Sequence, residues 1–218
     1  MTDSVDGKTV LIAGASSESG FAVASALVAA GAHVVAVGSR REGLDALVAR
    51  VPAVDARVCD LSDAAAVADL ARDVHASVGP IDGLIHLVGG WRGGGGLAGQ
   101  SDADWDVLAS GFATLRITSR QFYDDLLVST AGRLAIVSST AVERPLAGGA
   151  NYAAAKAAAE SWTRSIAQGF RKAQAPAAAT IFVVTTLAGL EPALGAQVVG
   201  LWASDPVSIN GVRIPLAP

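Results

Sequence analysis

The 218-residue chain lacks several features that mark particular functions. Aromatic residues make up only 5% of it, which argues against a surface that stacks sugars or bases. Cys59 is the single cysteine, so an internal disulfide and a cysteine-based metal site are excluded. His33 and His75 have no metal-like spacing, and we predict no bound metal.

Strong positive charge and long apolar runs are also missing. The net charge is −4 without a basic run, so we expect neither nucleic-acid nor anionic-membrane binding. No stretch of ~18 apolar residues is free of glycine and charge, so we expect no membrane span. The acidic stretch Met1–Asp6 lacks the basic-then-apolar order of a signal peptide. Together these features predict a soluble cytoplasmic protein.

The chain is rich in small apolar residues, and 51% of it is hydrophobic. That is enough for one well-buried domain, which we predict over residues 1–218. Short apolar runs alternate with helical patterns, which indicates an α/β fold with a parallel sheet covered on both faces. The predicted strands are Thr9–Ala13, His33–Val37, Ala56–Cys59, Gly83–Leu87, Arg133–Ser138, Thr180–Thr185 and Val212–Pro215. The predicted helices are Gly20–Ala30, Glu42–Arg50, Ala64–Ser77, Asp102–Leu127, Gly149–Lys172 and Pro192–Ala203.

A glycine turn, Gly14-Ala15-Ser16-Ser17-Glu18-Ser19-Gly20, joins the first strand to the first helix. Such a turn presents backbone N–H groups and the positive end of the helix dipole to a pyrophosphate. We therefore take Gly14, Ser16, Ser17 and Gly20 as candidate cofactor-binding residues. Glu18 replaces the usual middle glycine, and its carboxylate repels phosphate unless it turns outward. The alternative is a simple turn in which Ser16, Ser17 or Ser19 caps the helix.

Two later strand ends add further candidates. After the second strand, Ser39 and Arg40 offer a hydroxyl and a guanidinium, followed by the guanidinium of Arg41. This set suits the 2′-phosphate of NADP better than the ribose hydroxyls of NAD. The alternative is an exposed helix start with solvated arginines. At the end of the third strand, Asp60-Leu61 is a candidate adenine contact, or Asp60 is the N-cap of the next helix.

The strongest pattern combines Ser139 with Tyr152 and Lys156. Ser139 ends an apolar strand, and Tyr152 and Lys156 lie one helical turn apart, so both project from one helix face. A tyrosine titrates near pH ~10, and a nearby ammonium favours the phenolate and lowers that pKa. Ser139 can hold the carbonyl or hydroxyl that Tyr152 protonates or deprotonates. The three residues are the candidate catalytic set, against the alternative of a surface Tyr and Lys on an ordinary helix.

Taken together, these motifs resemble the short-chain dehydrogenase/reductase family over nearly the whole chain. The resemblance includes the segment Asp82–Gly89 and the late Ala203-Ser204-Asp205 and Ile209-Asn210-Gly211. It implies a Rossmann-type doubly wound sheet of seven strands, a nicotinamide cofactor and hydride transfer. It also implies that Tyr152 is the general acid/base, and that Lys156 lowers its pKa and binds the nicotinamide ribose. Gly89 becomes a further candidate cofactor contact.

The chain departs from the family at several places. The family's Asn-Asn-Ala-Gly reads His86-Leu87-Val88-Gly89, and its long-helix asparagine falls near Phe112, with Ser110 or Thr114 as weak substitutes. After the sixth strand the substrate-covering segment shrinks to Leu187–Glu191. Either the nicotinamide end stays open or the loop Gly89–Gly96 closes it.

Some nearby residues have two interpretations. Trp91 stacks on a planar substrate or packs on the domain surface. His86 faces the nicotinamide or is a satisfied core histidine. Glu143 and Arg144 line the substrate entrance or form a solvated ion pair, the interpretation we favour.

The sequence therefore supports two functional hypotheses. The first is an NADP-preferring oxidoreductase that interconverts a small-molecule carbonyl and alcohol. The second, motivated by Glu18, the missing asparagine and the short lid, is a non-catalytic binding or scaffolding protein. We also predict a homodimer or homotetramer built on the helices Gly149–Lys172 and Asp102–Leu127, with Trp162 and Phe170 as large anchors.

Overall fold

The computed structural model describes residues 4–217, so Met1–Asp3 and Pro218, the ends of the predicted domain, lie outside the described residues. Seven parallel strands form one sheet in the order β3-β2-β1-β4-β5-β6-β7. The strands are β1 (Thr9–Ala13), β2 (His33–Gly38), β3 (Asp55–Val58), β4 (Gly83–His86), β5 (Arg133–Ser139), β6 (Ala178–Val184) and β7 (Arg213–Pro215). This confirms the predicted doubly wound α/β class.

Helices cover both faces of the sheet. They are α1 (Glu18–Ala29), α2 (Arg41–Arg50), α3 (Ala64–Ser77), α4 (Asp102–Gln121), α5 (Tyr123–Val128), α6 (Ala150–Lys172), α7 (Glu191–Gly200) and α8 (Pro206–Ile209). Two 3-10 turns, Thr140–Val142 and Ala147–Gly149, lie between β5 and α6. Successive residues of β1 enter opposite cores: Val10 and Ile12 face one, Leu11 and Ala13 the other. Burial on both faces explains why the strands are continuous apolar runs rather than alternating ones.

The predicted bounds of two of the later helices are wrong. The helix predicted over Asp102–Leu127 ends at Gln121 and restarts at Tyr123, because Phe122 adopts φ −106°, ψ 10° and its ring is fully buried. The helix predicted over Pro192–Ala203 ends at Gly200, and the following turn buries Trp202. The short helix α8 was missed.

Phe170 is not available as an interface anchor. Its side chain is fully buried and stacks on Tyr123 of the same chain, with ring centroids 5.4 Å apart. Trp162 is partly buried between α4 and α6, where its indole N–H donates to the Ser119 hydroxyl at 2.9 Å. Both large side chains that we predicted as interface anchors therefore make contacts within the chain.

The carboxyl ends of the strands place the candidate site. The strand order reverses between β1 and β4, and a ligand crevice opens at such a switch point. Gly14 after β1 has φ 87°, and a Cβ there would lie 2.9 Å from the Val88 nitrogen after β4. Only glycine lets these two loops approach so closely. Within the described residues 4–217, no helix has the length and apolarity needed to cross a membrane.

Candidate active site

A cavity of about 960 Å³ opens at this edge of the sheet. It runs from the start of α1 past β4 and β5 to the first turns of α6. Its walls contain all three candidate catalytic side chains together with residues from the glycine turn and the loop after β4: Ser17, Ser19, His86, Gly89, Trp91, Arg92, Ser139, Arg144, Tyr152 and Lys156. The fold therefore brings together groups that are far apart in the sequence.

Ser139 and Tyr152 meet where β5 ends and α6 begins. The Ser139 Oγ accepts a hydrogen bond from the Ala141 N–H at 3.1 Å, which leaves its own proton free to donate. Burial raises the pKa of the Tyr152 phenol, and a hydrogen bond with Ser139 opposes that increase. Tyr152 is therefore a neutral proton donor whose oxygen has a hydroxyl partner beside it.

Lys156 lies one turn further along α6. Its Nζ donates to the Val137 carbonyl oxygen at 2.7 Å and lies 5.7 Å from the centre of the Tyr152 ring. Burial lowers the pKa of Lys156 to about 8, and the charge of Glu160 opposes that decrease. The prediction that Lys156 lowers the pKa of Tyr152 is wrong for this state, because burial of the phenol dominates and the ammonium is directed to a backbone carbonyl.

A charged network behind these residues was not predicted. Glu160 is fully buried, and its carboxylate accepts from the Ser138 hydroxyl at 2.6 Å and from the Arg164 guanidinium at 2.8 Å. Arg213 of β7 lies 3.3 Å from the same carboxylate and also donates to the Ser139 carbonyl oxygen at 3.2 Å. We call these four residues, Ser138, Glu160, Arg164 and Arg213, the Glu160 frame. The spacing Lys156, Glu160, Arg164 on one helix face was the signal available in the sequence.

His86 occupies a buried position at the end of β4 and lines the cavity. Its Nε2 lies 2.9 Å from the Thr114 Oγ1, which donates to the Gly111 carbonyl oxygen at 2.7 Å. The Thr114 proton is thus engaged, so the His86 Nε2 is the donor in this pair. Burial, reinforced by the charge of Lys156, lowers the pKa of His86 to about 3. His86 is a neutral, hydrogen-bonded histidine that also faces the cavity.

The position of the family's long-helix asparagine is occupied by Phe112. Phe112 lines the cavity and packs edge-on against Trp162, with ring centroids 6.4 Å apart. Ser110 is exposed on the cavity wall, whereas Thr114 is buried and bonded to His86. Of the two weak substitutes, only Ser110 presents an uncommitted hydroxyl to the cavity.

At the other end of the cavity, the glycine turn leads directly into α1. The Ser17 Oγ accepts from the Gly20 N–H at 3.0 Å, so Ser17 is the N-cap. Glu18 is 73% exposed and lies 3.6 Å from the Arg50 Nη1, which directs its carboxylate away from the turn. A Cβ on Gly20 would lie 2.3 Å from the Ala15 oxygen, so this glycine is required by the fold of the turn itself.

The remaining cofactor candidates lie beyond the cavity walls. Ser39 and Arg40 are exposed, and the Arg40 side chain does not cap α2. Ser16 packs against Gly43 of that helix, and Leu61 is buried.

Asp60 and Gly89 are the two remaining cofactor candidates. Asp60 accepts from the N–H and the hydroxyl of Ser62, which lowers its pKa, and Asp63 rather than Asp60 caps α3. The capping alternative for Asp60 is therefore wrong. At Gly89, a Cβ would lie 3.5 Å from the Lys156 Nζ, so the cavity is narrow there.

The loop Gly89–Gly96 is fastened to the segment that precedes Tyr152. The Gly94 N–H donates to the Gly148 carbonyl oxygen at 2.7 Å. The Gln100 Nε2 lies within 3.2 Å of the carbonyl oxygens of Gly94, Gly96 and Gly148, which share its two protons, and the Gln100 Oε1 accepts from the Asn151 N–H at 3.1 Å. We call this set of hydrogen bonds the Gln100 clamp. It fixes the glycine loop as a wall of the cavity.

The predicted ion pair between Glu143 and Arg144 is absent. Glu143 pairs instead with the Nη1 of Arg213, whereas Arg144 lines the cavity. The two neighbours separate because β7 brings a guanidinium to the Glu143 side of the chain.

The family model for short chain dehydrogenases matches residues 8–189 of the chain. The chain is 31% identical over 167 residues to 2,3-dihydro-2,3-dihydroxybenzoate dehydrogenase of Bacillus subtilis (strain 168), a match that covers 74% of the chain and 64% of that relative's length. It is 28% identical over 170 residues to the 3-oxoacyl-(acyl-carrier-protein) reductase FabG of Salmonella typhimurium, which covers 76% of the chain and 68% of that protein.

The fold is also similar to solved structures. A metagenomic short-chain oxidoreductase, solved in complex with NADP, matches with a TM-score of 0.84 and 27% sequence identity. That match covers 98% of each chain. The likeness therefore extends over the whole sheet.

Proposed function

The chain belongs to the short-chain dehydrogenase family, and from this we propose that it is an NAD(P)-dependent oxidoreductase that interconverts a carbonyl and an alcohol. The observation that carries the proposal is the single cavity that holds Ser139, Tyr152 and Lys156 at one end and the start of α1 at the other. Relatives named dehydrogenase and reductase support the same reaction class.

The residues present fit a nicotinamide dinucleotide. The first turn of α1 faces the cavity through Ser17 and Ser19, and a helix N-terminus attracts phosphate. Glu18 does not obstruct this approach, because its carboxylate lies beside Arg50 at the protein surface. Gly89 lies on the cavity wall beside the Lys156 ammonium, where we propose that the ribose binds. When bound, the nicotinamide would supply or accept the hydride.

The chain's own residues supply the proton transfer. In the reductive direction, the carbonyl carbon gains a hydride and the carbonyl oxygen gains the Tyr152 phenol proton, which yields the alcohol. The Ser139 hydroxyl donates to the same oxygen and orients it. The Lys156 ammonium, which donates to the Val137 carbonyl oxygen beside this group, is the proposed partner of the nicotinamide ribose. The oxidative direction uses the same residues in reverse.

We infer a preference for NADP over NAD. Arg40 is exposed beyond β2 and makes no capping hydrogen bond, so its guanidinium is free to pair with a 2′-phosphate. Ser39 adds a hydroxyl at the same place. Asp60 and Leu61, at the end of β3, complete the proposed adenosine side of the site together with Gly14 and Ser16.

Calorimetric titration with NADPH and NADH tests the proposal. We expect micromolar binding of at least one cofactor, with NADPH binding more tightly, and consumption of NADPH when a small aldehyde or ketone is added. The absence of binding of both cofactors at millimolar concentration would contradict the proposal and favour a non-catalytic binding role. A variant with Lys156→Met separates ribose binding from phosphate binding, because it leaves the α1 end intact.

For assembly we propose a homodimer, or a homotetramer, through α6 and α4. Ala154 on α6 is exposed, as is Trp105 (41%) on α4, so these helices carry small and apolar surface. Light scattering at micromolar concentration tests this, and a mass near 21.8 kDa would contradict it. We also propose a cytoplasmic location, where nicotinamide cofactors are available.

A further inference from the structure

The charged side chains of the cavity all have the same sign. The lining contains three cationic residues, Arg92, Arg144 and Lys156, and no aspartate or glutamate. Over the whole sequence the balance is the reverse, with 20 acidic and 16 basic residues. A cavity wall with cationic but no acidic side chains favours an anionic ligand, because charges that line a cleft raise the local concentration of oppositely charged ligands.

Arg92 and Arg144 are not neutralised by the protein. Among residues 4–217, no carboxylate lies within 4.0 Å of either guanidinium. The adjacent acid, Glu143, is paired with Arg213 on the other side of the segment. Arg92 uses its Nη1 to donate to the Trp91 carbonyl oxygen at 2.9 Å, which leaves its other N–H groups available.

The two arginines lie on the substrate side rather than the phosphate side. Arg144 belongs to the short segment between Ser139 and Tyr152, the residues that face the reacting carbonyl. The Gln100 clamp fastens the loop that carries Arg92 to the Gly148 part of the same segment. The cofactor pyrophosphate is proposed at the opposite end, beside Ser17 and Ser19.

Large apolar side chains complete the mouth of the cavity. Trp91, Val107 and Leu146 line it and remain 62%, 53% and 78% exposed. Exposed apolar residues that gather around a cleft mark a surface that a ligand covers. The mouth therefore offers an aromatic and aliphatic rim with two free guanidinium groups.

We propose that the substrate is a carbonyl or alcohol compound with an apolar body and an anionic group, a carboxylate or a phosphate, that Arg144 and Arg92 bind. This rests on the proposed oxidoreductase function. The body packs on Trp91 and Leu146, the anion pairs with the guanidiniums, and the carbonyl reaches Ser139 and Tyr152. The arginines thus determine which carbonyl compounds the enzyme accepts.

The test compares matched compounds with NADPH as reductant. We expect 4-carboxybenzaldehyde to be reduced with a kcat/KM about tenfold above that of methyl 4-formylbenzoate, its neutral ester. Comparison with 4-formylphenyl phosphate tells carboxylate from phosphate recognition. Arg144→Gln lowers kcat/KM for the carboxylate far more than for the ester, so that most of the preference is lost, and Arg92→Gln weakens the preference. Arg120→Gln, an exposed arginine of α4 outside the cavity, is the matched control and retains the preference.

Equal turnover of the anionic and neutral aldehydes would overturn the inference and leave the proposed function standing. If neither aldehyde is reduced, calorimetry with 4-carboxybenzyl alcohol and benzyl alcohol decides between the remaining outcomes. Tighter binding of the carboxylate that is lost in Arg144→Gln supports the anion site, even if the reaction class is wrong. Equal binding, or no binding of either alcohol, overturns it.

Discussion

The two ends of the cavity are built in opposite ways. Next to the proposed catalytic residues, three polar groups already have partners within the chain: Ser139 accepts from Ala141, Lys156 donates to Val137, and Glu160 is held by three neighbours. At the proposed nucleotide end, which continues beyond the cavity walls, Arg40 and Ser39 are exposed and without such contacts, and Glu18 pairs only with Arg50 at the surface.

This difference indicates that proton transfer depends on groups arranged by the fold, whereas cofactor affinity depends on contacts that form only on binding. Burial at the catalytic end shifts the pKa of Tyr152, Lys156 and His86, so these groups are prepared before a ligand binds. In the proposed complex, the nucleotide end gains its charge-assisted contacts only from the ligand. Substitutions at the first end are therefore expected to cost more than substitutions at the second.

The largest effect is expected at Tyr152. Tyr152→Phe removes the proposed proton donor while keeping the ring, so kcat falls by about a hundred- to ten-thousand-fold and NADPH affinity stays the same. Steady-state rates and calorimetry measure the two effects. Tyr123→Phe, which alters a tyrosine outside the cavity, is the control and keeps full activity. A Tyr152→Phe enzyme with wild-type kcat would mean that another group donates the proton.

The next effect concerns the Glu160 frame. Glu160→Gln removes a fully buried charge that Arg213 and Arg164 face, and lowers the free energy of unfolding by about 3 kcal/mol in urea titrations. Arg164→Gln removes a partner that is 48% exposed and costs less than about 1 kcal/mol. Equal losses for the two variants would show that burial does not set the strength of this network.

Glu160→Gln is also expected to change the pH dependence of kcat/KM. Lys156 has a pKa of about 8, so its ammonium is present below that pH and lost above it, and kcat/KM is expected to fall as pH rises through 8. His86 is neutral and Tyr152 protonated in this range, which leaves Glu160 as the facing charge that holds the Lys156 pKa up. Glu160→Gln therefore moves the alkaline limb to lower pH, by about one unit. If the alkaline limb of the kcat/KM profile does not move, Glu160 does not influence the Lys156 pKa.

A smaller effect is expected at the nucleotide end. Arg40→Ala weakens NADPH binding by about 1.5–3 kcal/mol and leaves NADH binding nearly unchanged, because only the 2′-phosphate gains a charge-assisted contact. Calorimetry with both cofactors measures the difference. Arg72→Ala, an exposed arginine of α3 paired with Asp69, is the control. Equal weakening of both cofactors would remove Arg40 as the discriminating residue.

The smallest effect is expected at Glu18. Because its carboxylate already turns outward to Arg50, Glu18→Gly relieves no crowding and changes cofactor affinity little. Helix stability falls by up to about 1 kcal/mol, since glycine adds backbone freedom at the first position of α1. Thermal unfolding and calorimetry measure the two quantities. Clearly tighter nucleotide binding would show that the glutamate does obstruct the turn.

Local sequence patterns predicted those strands and helices whose bounds depend on nearby residues. The bounds of β1 (Thr9–Ala13) and α3 (Ala64–Ser77) were right, since apolar runs and helical periodicity act over a few residues. The break at Phe122 was not predictable, because it results from burial of a ring by distant elements.

At the site, the sequence predicted Ser139, Tyr152 and Lys156, and the fold places all three in one cavity. The direction of the Tyr152 pKa was wrong because burial cannot be read from spacing. Arg213 reaches Glu160 only through the pairing of β6 with β7, so the frame is a product of topology.

The Gln100 clamp has a consequence for how the protein opens. One amide side chain holds Gly94, Gly96, Gly148 and Asn151, so the glycine loop and the start of α6 cannot separate one bond at a time. The two segments form a cooperative unit of local unfolding, and their backbone amides exchange with solvent together.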